Sequence, residues 1–186
     1  MAKAAAALIA ALLLGGCEAE AGAGSEAQAP AAETAAAASG TAEAVVTSAG
    51  SRAMPASGES FTCTPTKLWD GDGPIHCAEG PRVRLSGIAA REMDGTCSPG
   101  HPCPEASAHA ARDRLAELLG GATGVAAKGH VEVAGPALAC RSAGGAGGTR
   151  TAAWCVSPSA GDLSCAMLAS GTVARWDRYW RGHRCG

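Results

Sequence analysis

Eight of the nine cysteines crowd into residues 61–186: Cys63, Cys77, Cys97, Cys103, Cys140, Cys155, Cys165 and Cys185. The chain has few large residues with which to fill a core. Its six aromatics (Phe61, Trp69, Trp154, Trp176, Tyr179 and Trp180) all follow residue 60, so Val, Leu, Ile and Ala must supply most of the packing. A core that thin calls for a second source of stability. Four disulfides formed in an oxidising compartment provide one.

The ninth cysteine, Cys17, stands apart. Residues 1–17 carry Lys3, then an apolar run, then Gly15-Gly16-Cys17. This pattern is a signal peptide, too short to remain as a bilayer-spanning helix. Leu14-Gly15-Gly16-Cys17 also resembles a bacterial lipobox, in which the cysteine is lipidated and begins the mature chain. The alternative is ordinary signal cleavage nearby, but the odd cysteine count favours lipidation of Cys17. Residues 18–60 are rich in Ala, Gly and Glu and lack aromatics, which describes a disordered tether. The expected product is a monomeric lipoprotein of the bacterial envelope, held to the membrane by its lipid alone, or a periplasmic or extracellular protein.

The formal net charge of -2 conceals two unlike regions. Residues 61–186 hold thirteen Lys and Arg against eleven Asp and Glu; residues 18–60 hold one Arg against six Glu. The folded part is mildly basic, which permits a polyanionic partner without demanding one.

Periodicity and turn residues predict strands over Phe61–Trp69, Pro74–Ala78, Arg82–Gly87 and Thr149–Val156, with one or two more within Val125–Arg141. Cys63 and Cys77 lie on facing arms of the first hairpin and Cys140 and Cys155 on those of the second, so each couple should pair. Cys97 and Cys103 close a small ring, and Cys165 and Cys185 remain to pin the C-terminal tail. Cys97, His101 and Cys103 supply only three zinc-type ligands in an exported chain, which speaks against zinc. A helix is expected from Pro104 to Leu119 and a shorter one between an Asp162 N-cap and a Gly171 C-cap.

The chemistry concentrates between Leu68 and Glu92. An acidic turn, Asp70-Gly71-Asp72-Gly73, precedes a strand whose Val83 and Leu85 point one way and Arg82 and Arg84 the other. A small-residue turn then leads to Glu92. Taken singly, the Asp-Gly pairs suit a plain turn and the charges suit a solvated surface; their combination suggests a site.

The ordered set of strand, Asp-Gly-Asp, strand, Arg82-Val-Arg-Leu-Ser-Gly-Ile88, helix, glycine-rich turn, Arg-bearing strand and second helix resembles the thermonuclease family over about residues 61–175. Cys97-Ser-Pro-Gly-His-Pro-Cys103 resembles the loop of that family's cysteine-rich exported bacterial branch. The resemblance implies an α+β, mainly β fold: a five-stranded OB-fold barrel with two to three packed helices, following the tether. It implies hydrolysis of DNA or RNA phosphodiesters with Ca²⁺. Asp72 would bind the ion with Asp70 behind it, Arg84 and Arg150 would hold the phosphate, and Glu92 would be the general base. The chain departs from the pattern at Ala89, where the family has a second metal-binding Asp, and at Gly73, Arg91 and Gly148. Asp94 is a nearby carboxylate in place of the missing one. The alternative is an OB-fold binding module without catalysis. The tail from Arg175 to Arg184 offers two roles: stacking bases and neutralising phosphates, or packing Trp176 and Trp180 onto the domain.

Overall fold

The computed structural model describes residues 54–186. The signal segment, Cys17 and most of the tether lie outside the described residues. The chain runs through β1 (Ser60–Cys63), β2 (Pro65–Asp70), β3 (Gly73–Cys77), β4 (Arg82–Leu85), β5 (Ile88–Ala89), α1 (Ala108–Leu118), β6 (Ala122–Val125), a 3-10 turn (Ala127–Gly129), β7 (Val131–Val133), β8 (Leu138–Gly145), β9 (Thr151–Ser157), β10 (Gly161–Asp162), α2 (Leu163–Ala169), β11 (Ala174–Arg175) and α3 (Asp177–Trp180).

The fold is mainly β, with a mixed sheet and three helices. The sheet has nine strands in the order β1-β8-β9-β4-β3-β2-β7-β6, with β10 paired to β9. Every pairing is antiparallel except β4 with β9. A separate two-stranded ribbon joins β5 to β11. This pairing order is open, with β1 and β6 at its ends, and differs from the expected five-stranded barrel. Two causes are local. The single strand expected over Phe61–Trp69 breaks at Thr64, and β6 and β7 add a hairpin beyond β2.

All four expected disulfides are present: Cys63–Cys77, Cys97–Cys103, Cys140–Cys155 and Cys165–Cys185. They indicate an oxidising, extracytoplasmic environment. Among the described residues no helix is long and apolar enough to cross a membrane. Ordered structure begins before Phe61. The Gly58 N–H donates to Ser142 O at 2.8 Å, and the Ser142 hydroxyl donates to Pro55 O at 3.1 Å.

Alternation sorts β4 as expected: Val83 and Leu85 are buried, while Arg82 and Arg84 are half-buried on the opposite face. Leu68 and Ile75 meet them in the core, together with Leu115 and Leu119 from the α1 region and Leu163 and Met167 from α2. Helix α1 starts at Ala108, four residues later than expected. Ser107 caps it by accepting from the Ala110 N–H at 3.1 Å. Pro104 stays outside the helix because its carbonyl accepts from the Arg91 guanidinium at 2.8 Å. Helix α2 has the expected cap, Asp162 accepting from the Cys165 N–H at 2.9 Å, and Gly171 follows at φ +71°.

The acidic turn is fixed by close packing. Gly73 sits at φ +116°, and a Cβ there would meet the Val83 carbonyl oxygen at 2.5 Å. Only glycine combines that conformation with that approach, which accounts for the departure at position 73. Gly71 lies directly under Ala111 of α1, with no room for a methyl group. Gly71→Ala should therefore cost about 1–3 kcal/mol in urea unfolding. Ala111→Gly added to it should recover part of that loss; equal stability of the native chain and Gly71→Ala would refute the contact.

Candidate functional site

The turn and strand β4 meet in a buried ion pair. Arg84 Nη2 donates to Asp72 Oδ2 at 2.7 Å, with the two side chains only 15% and 6% exposed. The Ala90 N–H donates to the same oxygen at 3.0 Å. Asp70 ends β2 and accepts from the Asp72 N–H at 3.1 Å, the supporting role expected of it. Burial, followed by the Asp72 charge, pushes the Asp70 carboxyl up to about 8. Burial pulls Asp72 upward too, opposed first by the Arg84 guanidinium and then by the Ala90 N–H. Those two donors favour the charged form of Asp72.

Strand β4 and the β8–β9 turn bring the two expected phosphate-binding arginines to one cleft. It has a volume of about 360 Å³ and is lined by Arg84, Arg150, His101, Trp154, Trp176 and Tyr179, among others, with Gly145 to Gly147 along one side. Arg150 Nε donates to Gly147 O at 3.4 Å, which folds the guanidinium back over its own turn. The Arg84 guanidinium also lies over the Trp176 ring, 5.6 Å from its centroid.

Asp70, Asp72 and Glu92 are not among the residues lining this cleft. Glu92 is half-buried beside it and accepts from the Ser98 hydroxyl at 2.7 Å. Asp94 turns its Oδ1 to Thr96 at the exposed surface. It accepts from the Thr96 N–H at 2.9 Å and the Thr96 hydroxyl at 2.7 Å, which hold its carboxyl below the usual range. It therefore does not replace the oxygen missing at Ala89, which is fully buried. Arg91 donates to Gly95 O at 2.9 Å and Pro104 O at 2.8 Å, so this departure clamps the following loop.

These residues do not fit a calcium ion. Calcium takes six to eight oxygens, several of them charged. Here Asp72 is already paired with a guanidinium and position 89 offers no side-chain oxygen. Among the described residues, Asp162, Cys165 and His183 form the one compact trio of ligand types. It is no metal site, because Cys165 is spent in a disulfide.

His101 is the site residue that motif reading passed over. It stands in the Cys97–Cys103 ring, which that reading weighed only for zinc. The disulfide closes the ring, and the His101 N–H donates to Ser98 O at 3.0 Å. The imidazole then lies 4.1 Å from the Trp176 ring. Burial first, and next the Arg84 charge, hold it below the usual histidine range, while Asp72 and Glu92 pull it up. The tail divides its roles. Trp176 lines the cleft, whereas Trp180 packs against the core and meets Trp154 edge to face at 5.5 Å. Trp154 also stacks on His183 at 3.7 Å, and His183 is held by Asp162 at 2.9 Å.

The raised Asp70 carboxyl sets a pH dependence. Its unfolded value of 3.8 lies below its folded value of about 8, so its contribution to stability is full below about pH 4 and is lost as pH rises through 8. The slope approaches about 1.4 kcal/mol per pH unit in that window. His76, held down to about 4 mainly by burial, works in the opposite direction between 4 and 6.5. Comparison with Asp70→Asn isolates the carboxyl. The variant should gain on the native chain steadily from pH 4 to 8 in urea unfolding, and parallel profiles would show that Asp70 is ionised in the fold.

Compared with protein-family models, with curated proteins and with solved structures, the chain matches none.

Proposed function

We propose that this exported domain engages nucleic acid through the Arg84–Arg150 cleft, as a thermonuclease-like protein of OB-fold type. One observation carries the reading. Two arginines 66 positions apart in the sequence line a single cleft with a third, Arg181, among aromatic, imidazole and small or aliphatic residues and no carboxylate. Guanidinium groups suit the paired oxygens of a phosphodiester, and Trp176 and Tyr179 give flat faces for bases. The fold assignment has its own support. β1 and β2 are separated by Thr64 alone, so the order β1-β8-β9-β4-β3-β2 begins and ends on one stretch of chain. The parallel contact of β4 with β9, amid antiparallel neighbours, also suits an OB topology. The lipobox at Cys17 supports attachment of the domain to a bacterial envelope membrane.

Binding is the primary reading because calcium does not fit the residues present. Hydrolysis is the second, favoured by the Asp72 and Glu92 charges that act on His101 in the cleft wall. In that reading Glu92 takes the proton of an attacking water, while Arg84 and Arg150 stabilise the charge that grows on the phosphoryl oxygens.

Arg150→Ala is the clean test of binding, since Arg84→Ala would also strand the buried Asp72 charge and cost on the order of 3–5 kcal/mol of stability. Arg150→Ala should weaken binding of a single-stranded oligonucleotide about tenfold, or about 1.4 kcal/mol, in fluorescence anisotropy. Unchanged affinity would overturn the reading. Glu92→Gln should leave affinity unchanged and, if the domain hydrolyses its ligand, slow cleavage about 100-fold or more. Absence of cleavage by the native chain would remove the second reading and leave the first.

A further inference from the structure

On the far side of the Gly147–Arg150 turn lies a second, more open cleft of about 600 Å³. Its lining includes Trp69, Arg82, Lys128, His130, Thr149 and Arg150. Arg150 lines both clefts, so the turn forms a cationic ridge between them. The lining residues of the second cleft include three cations and no carboxylate. None of the three is ion-paired among the described residues.

The groups here are held in place. Arg82 Nη1 donates to the Thr149 hydroxyl at 3.1 Å, while its Nε is buried without a hydrogen-bond partner. A buried donor of that kind is costly unless a ligand or other acceptor meets it. Lys128 sits at φ +73° and ψ +13°. Left-handed backbone at a non-glycine residue costs free energy and is often found where function requires it. Trp69 lies 4.9 Å from the His130 ring, forming an aromatic wall beside the cations. Burial first, then Lys67 and Arg82, hold His130 below the usual histidine range, in keeping with a positive field.

We propose that this second cleft holds the phosphate and base of a nucleotide adjoining the one seated between Arg84 and Arg150, so that a single strand runs over the Gly147–Arg150 ridge. The inference rests on the reading of the first cleft. The aromatic walls require a single strand, because paired and stacked bases of a duplex cannot turn to meet Trp69 and His130. The three cations supply the affinity for phosphate, and it should fall steeply with salt.

The test uses the full exported chain and two probes in fluorescence anisotropy. A 5′-phosphorylated mononucleotide fills the first cleft alone, and a ten-nucleotide single strand reaches both. Trp69→Ala and Lys128→Glu should each weaken the ten-mer about tenfold and leave the mononucleotide within about twofold of native. Lys128→Glu should also lower the slope of log affinity against log salt by about 0.7 or more. Lys128 is exposed on a surface turn, so its reversal keeps the test readable should Trp69→Ala fail to fold. Native-like affinity of Lys128→Glu for the ten-mer would overturn the inference. So would equal binding of both probes by the native chain, which would leave the first cleft's role standing. Failure of the native chain to bind either probe would overturn the nucleic-acid reading itself, and this inference with it. A duplex of the ten-mer sequence should bind more weakly than the single strand; tighter duplex binding would refute the proposed track.

Discussion

The ion pair between Arg84 and Asp72 holds the site together. Asp72 is joined to β4 twice, by the guanidinium and by its own carbonyl, which accepts from the Leu85 N–H at 2.8 Å. It reaches the next segment through the Ala90 N–H. Three stretches of chain therefore depend on one carboxylate for their relative placement. Such a pair adds little net stability, because both charges have left water. Its contribution is geometric. It fixes Arg84 on its inner side while Trp176 lies against the outer side, and the cleft gains a cation that is both oriented and partly dehydrated.

The carboxylates around this pair form a consistent set. Asp72 is matched by Arg84. Burial and the Asp72 charge raise the Asp70 carboxyl, and the Glu92 charge adds to that pull. Gly71 packed under Ala111 keeps the turn beneath α1, away from the solvent through which an ion would arrive.

Much of this was legible from the chain alone. The disulfide pairs, the hairpin strands and the Asp162 cap follow from local rules of turns and spacing, and those rules held. The join of Arg84 with Arg150 required a known order of elements as well. The burial of Asp70 and Asp72 was hidden, because Asp-Gly turns commonly face water and only the approach of α1 encloses this one. The position of His101 was hidden for a similar reason: its ring closes through a disulfide, but the partner it meets, Trp176, lies 75 positions further along the sequence. The second cleft draws on β2, β3, β4, the 3-10 turn with His130 after it, and the β8–β9 turn, and no linear motif spans five such segments.

Three walls of the first cleft each carry their own disulfide. Cys97–Cys103 carries His101, Cys140–Cys155 underlies the Arg150 hairpin, and Cys165–Cys185 ties down the segment bearing Trp176 and Tyr179. The floor, by contrast, is held by sheet hydrogen bonds and the buried ion pair. In reducing surroundings these three segments would lose their covalent ties, while the sheet hydrogen bonds and the buried ion pair would remain.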